Sequence, residues 1–125
     1  MAKTPVKIEI DGYKEREVQM VTYEFDQATD TEGQMSGRIV VKVKALNDGT
    51  PDLLAWMLER NLPKNGKITF NETKTGKVMK TIEFEGGYCV DFEEKWEDKA
   101  GHYEQIEISC QKMKFGSVEF ENEWA

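Results

Sequence analysis

A chain of 125 residues has the length of one domain, enough to bury a core without metal or disulfide staples, and its apolar 38% and charged 33% are arranged in the short alternating runs of a chain that folds. Its 24 acidic residues against 17 basic ones leave a formal charge of -7, which sets it against nucleic-acid backbones and anionic membrane surfaces. No stretch approaches the roughly 20 apolar residues that span a bilayer, and Met1-Ala2-Lys3-Thr4-Pro5 has no apolar signal-peptide core, so the expectation is a cytoplasmic start and no membrane insertion.

Val6, Ile8 and Ile10 alternate with Lys7 and Glu9, a strand with one buried face, and Asp11-Gly12 supplies a turn. Between Glu17 and Asp26, Val18 and Met20 point one way while Val21, Tyr23 and Phe25 point the other, as in a strand that bends around a barrel. The polar segment at about 27–37 lacks apolar periodicity and reads as an extended loop, the kind of segment that often carries function. A third strand runs from Arg38 to Leu46, with Ile39, Val41, Val43 and Ala45 on one side.

The period then changes. Asn47-Asp48-Gly49 makes a turn, Thr50 is placed to cap, Pro51 suits a first helical position and Asp52 a first turn. A helix is predicted at about 51–61, with Leu54, Met57 and Leu58, beside Leu53 and Trp56, as its apolar stripe and Pro63 as its stop. Ile68 and Phe70 open a hairpin whose partner carries Val78, Ile82 and Phe84. Gly86-Gly87 reads as a break before Tyr88, Val90 and Phe92 resume the alternation, and a last long strand holds Ile106, Ile108 and Cys110. The fold class that follows is mainly β: a single domain over 1–125, a small antiparallel β-barrel of two packed sheets with one flanking α-helix, because closure removes the exposed edges that long antiparallel strands leave.

Chemistry-bearing patterns are sparse. His102 stands without a serine or cysteine in a nucleophile motif, and the carboxylates Asp91, Glu93, Glu94, Glu97 and Asp98 gather at a strand end, as a solvated face does. Cys89 and Cys110 form no C-x-x-C pair and each sits inside a strand-like run, so they read as buried thiols. Asp26, Asp30 and Glu32 before Gly33 miss the spacing of a calcium loop, and Gly86-Gly87 lacks the residues of a phosphate cradle. The expectation is no enzyme, no metal and no cofactor. Of the three tryptophans, Trp56 reads as helix-to-barrel packing, Trp96 ends a charged strand, and Trp124 packs either on its own barrel or on a neighbour.

The order of pieces carries a further signal: a strand pair, the loop with Asp30-Thr31-Glu32-Gly33, a strand, the Trp56-Met57 helix, Gly66-Lys67-Ile68-Thr69-Phe70, Tyr88-Cys89-Val90, and the ending Glu121-Asn122-Glu123-Trp124. Over nearly its whole length the chain resembles the tube protein of type VI secretion, TssD or haemolysin-coregulated protein, in its Bacteroidetes-like form. The resemblance implies hexameric rings that stack into a hollow tube, effector cargo in the lumen, sheath, spike and baseplate proteins as partners, and secretion through that machine. It assigns ring stacking to Asp30, Thr31, Glu32, Gly33, Gln34, Met35 and Ser36, and an assembly or packing role to Glu121, Asn122, Glu123 and Trp124. Where the family commonly has arginine-proline after the loop glycine, this chain has Gln34-Met35. The rival reading is a monomeric β-barrel module that binds a small apolar or sugar ligand.

Overall fold

In the computed structural model, residues 5–27, 35–46, 49–59, 61–72, 74–99 and 101–121 are described. Seven strands and one helix follow one another: β1 (Val6–Ile10), β2 (Arg16–Gln27), β3 (Met35–Lys44), α1 (Asp52–Leu58), β4 (Lys64–Asn71), β5 (Val78–Glu97), β6 (Gly101–Phe115) and β7 (Val118–Glu121). The strands pair antiparallel in the order β3-β2-β1-β4-β5-β6-β7, and β3 pairs back onto β6, from Arg38↔Ser109 to Lys44↔Tyr103. Six strands therefore close a barrel, with β7 hydrogen-bonded to the end of β6. The ring consists of two three-stranded meanders, β1-β2-β3 and β4-β5-β6, joined along two seams, β1–β4 and β3–β6.

The expected alternation holds along β1 and through Ile106, Ile108 and Cys110 of β6, whereas in β4 Thr69 is buried beside Ile68; Ile8, Ile39, Val41, Val43, Ile68, Ile82, Ile106 and Ile108 fill the interior. The change of face along β2 is a register irregularity between Val18 and Met20: an extra residue lets Val18 and Val21 both face the core. Gly86-Gly87, expected to interrupt a strand, lies within one 20-residue strand. Gly86 has a φ of +60°, and across it the buried positions of β5 pass from Ile82 and Phe84 to Gly87 and Cys89, three residues on from Phe84. The glycine works as a bend within the ladder, since only glycine takes that conformation without crowding its own Cβ.

The loop expected at 27–37 is shorter than its sequence suggests. β2 runs to Gln27 and β3 starts at Met35, the two paired, so polar residues at both ends of that segment continue the ladder; 28–34 lie outside the described residues. The helix expected at 51–61 is also shorter. Pro51 takes the N-cap position, one residue before its expected place, and Glu59 is already extended (φ -90°, ψ 92°). Trp56 explains the early end: its indole N–H donates to the Leu62 carbonyl at 2.8 Å, which holds the following chain back under the helix. The buried side of α1 is Leu53 and Trp56, whereas Leu58, expected in the inward stripe, is 70% exposed and Leu54 lies at the surface. A seven-residue helix on a curved sheet buries one narrow row, and the bulkiest residue, Trp56, takes it.

Candidate functional site

The barrel has two ends of different character. At one end the strands carry a cluster of rings: Tyr23 and Phe25 from β2, both exposed, with Phe115 from β6 and Phe120 from β7, both packed against the core. Centroid separations of 4.9 Å for Tyr23–Phe115, 4.8 Å for Phe25–Phe120 and 5.7 Å for Phe25–Phe115 make them one stack of tilted and edge-to-face contacts. Gly37 makes room for it, because a Cβ there would lie 2.7 Å from Phe25 and 2.9 Å from Phe120. Lys80 donates to the Tyr23 hydroxyl at 2.8 Å and lies 5.0 Å above its ring.

The other end is closed by α1 and by charge. Arg16 donates to Glu104 Oε2 at 2.8 Å, to the Lys44 carbonyl at 3.3 Å, and to Asp52 Oδ1. All three charged side chains are buried, and Asp52 Oδ1 also accepts the Leu53 amide at 2.7 Å. The set joins β2, α1 and β6, so it spans both meanders. Nearby, His102 lies 2.6 Å from Glu94 at the surface, on the rim of a small cavity of about 100 Å³ that reaches Leu54 and Glu104.

A larger groove of about 560 Å³ lies on the first end, beside the β4–β5 turn, lined by Lys67, Val78, Met79, Lys80, Phe115 and Gly116 among others. Val78 and Met79 are 58% and 69% exposed there. The two thiols are elsewhere: Cys89 and Cys110 are buried in the barrel wall without a disulfide, and burial pushes each up to about 12.

Of the residues singled out for assembly, Met35 and Ser36 open β3 opposite Gln27 and Asp26, and Glu121 ends β7 opposite Lys112. Asp30, Thr31, Glu32, Gly33 and Gln34, like Asn122, Glu123 and Trp124, lie outside the described residues. The paired ends of β2 and β3 nevertheless put the departure point of the 28–34 segment at the aromatic end, two residue pairs beyond Phe25↔Gly37. Sequence reading passed over Arg16 and Glu104, although each shares the inward register of an apolar neighbour, Val18 and Ile106. It also took Tyr23 and Phe25 only as strand-face residues, not as members of a ring cluster with Phe115 and Phe120.

A family model described as hemolysin coregulated protein Hcp (TssD) matches residues 2–125. Among solved structures, Hcp1 from Flavobacterium johnsoniae superimposes with a TM-score of 0.80 at 27% identity, covering 94% of this chain and 98% of that one. Hcp1 from E. coli EAEC 042 gives 0.76 at 14% identity over 98% and 100% of the two chains. A structure of the sheath/tube terminator of PVC, an extracellular contractile injection system, gives 0.62 at 12% identity over 90% and 93%; these last two share the fold. No curated protein sequence matches the chain.

Proposed function

The chain belongs to the hemolysin coregulated protein (Hcp, TssD) family, and from that premise we propose that it is a structural subunit of a type VI secretion tube, assembling as hexameric rings that stack around a lumen able to carry effectors. The observation that carries this reading is the match of the family model to residues 2–125, supported by the likeness to the Flavobacterium Hcp1. The physics of the barrel is compatible with it. β3 closes on β6, so the outer edges of the two meanders are paired with each other there rather than left for a neighbour to extend. A ring then needs two different faces of each copy to meet with a rotation that closes.

In this reading Asp30, Thr31, Glu32, Gly33, Gln34, Met35 and Ser36 reach a subunit of the adjacent ring, and their polarity keeps that contact reversible. Glu121, Asn122, Glu123 and Trp124 continue from β7 as an assembly or packing element. Sheath, spike and baseplate proteins are the partners, and the protein leaves the cell through the same machine. A ligand-binding barrel would need a lined interior, whereas the interior here is occupied by Ile39, Val41, Ile68, Ile82, Ile106 and Ile108.

Light scattering on the gel-filtration peak, with negative-stain images, tests the ring: six copies of a 14.4 kDa chain give about 86 kDa. Deleting Thr31 to Met35 is expected to leave rings of that mass and abolish their stacking. A variant that still forms tubes removes the stacking role from the loop, and a wild-type monomer at all concentrations removes the tube reading itself.

A further inference from the structure

The long strand β5 carries opposite surfaces at its two ends. Its start, with the β4–β5 turn, presents Lys74, Lys77 and Lys80 with Lys67 alongside, four lysines against Glu72 and Glu83. Between them stand the exposed Val78 and Met79 and the groove of about 560 Å³. Its finish, with the β5–β6 turn, presents Asp91, Glu93, Glu94, Glu97 and Asp98 against Lys95 and Lys99. At that tip Trp96 is 68% exposed and paired in register with His102.

An indole left this far in water on an acidic tip, and a groove lined by Val78, Met79 and Phe115 with Lys67 and Lys80 against Glu83, are complementary in shape class and in charge. They sit at opposite ends of one strand, so a single copy cannot satisfy both. We propose that the Trp96 hairpin of one copy docks into the Lys67/Val78/Met79/Phe115 groove of the next, giving a head-to-tail contact between copies of this chain. The inference rests on the tube-subunit reading and assigns a partner surface within it. Lysines over the indole add cation–π attraction, and the acidic flank prevents two like ends from meeting.

The test uses the full chain with Trp96→Cys and Met79→Cys together. The native thiols, buried and held near 12, stay out of the reaction at neutral pH. Mild oxidation of assembled protein is expected to give a ladder of disulfide-linked oligomers, with neither single variant going beyond a dimer. In parallel, Glu97→Lys/Asp98→Lys and Lys67→Glu/Lys77→Glu should each raise the concentration for half-assembly about tenfold, and mixing the two should restore it. Wild type that assembles while the cysteine pair gives no ladder and both charge variants assemble normally overturns the contact and leaves the tube reading intact. Wild type that does not self-associate removes both.

Discussion

Arg16 is the residue on which most depends. It is the only described cation in a set with two buried carboxylates, and its Nε and Asp52 Oδ2 have no hydrogen-bond partner among the described residues. Removing the guanidinium leaves two carboxylates facing each other without compensation, which costs more than the whole set contributes. Arg16→Met is therefore expected to lower unfolding free energy by about 3–5 kcal/mol in urea titration, and Arg16→Met/Asp52→Leu/Glu104→Met to recover much of that loss. The thiols give a pH dependence with a fixed sign. Burial raises Cys89 and Cys110 to about 12 in the folded chain, above the usual range that applies when unfolded. Their contribution is complete below about pH 8.5 and is lost as pH rises towards 12, because the unfolded chain gives up thiol protons that the folded one keeps. Between pH 9 and 11 each thiol should subtract about 1.4 kcal/mol of stability per pH unit, and Cys89→Ala/Cys110→Ala should flatten that slope in reducing buffer.

Among the elements, β5 is the one that sequence patterns describe least well. Two adjacent glycines in an alternating run read equally as a turn or as a bend, and only the pairing with β6, which keeps step from Glu85↔Lys112 to Gly87↔Cys110 and shifts later between Cys89 and Asp91, distinguishes them. Gly86→Ala places a side chain at φ +60° with its Cβ 3.0 Å from Gln111 Cβ, so a loss of about 1–2 kcal/mol is expected in the urea midpoint, with the fold retained. Most strands were legible because period-two alternation follows from a wall with one wet face. The helix was legible in existence but not in facing, since Leu53, Leu54, Trp56, Met57 and Leu58 surround too much of a short helix to reveal which row is inward. The charged set was illegible for a different reason: Arg16 and Glu104 are typed as surface residues, and their pairing joins positions 88 apart in sequence. The candidate docking surfaces needed both exposure and topology, because only the strand order shows that the basic and acidic runs are opposite ends of one element.

At the scale of the molecule, the barrel is two meanders and α1 between them. Each meander has one apolar face, and neither covers its own; the two seams and the Arg16 set are what join them. The covalent link between them is the single stretch 45–63, which carries α1. It follows that the protein is in substance two half-molecules that happen to be encoded together. Divided between Leu46 and Gly49, the pieces should be insoluble when made separately and reassemble when made together, regaining the far-ultraviolet spectrum of the intact chain. Arg16→Met in the first piece should abolish that complementation well before it unfolds the intact chain. A split of this kind would turn assembly of the barrel into a switch, in which neither piece contributes a subunit until it meets the other.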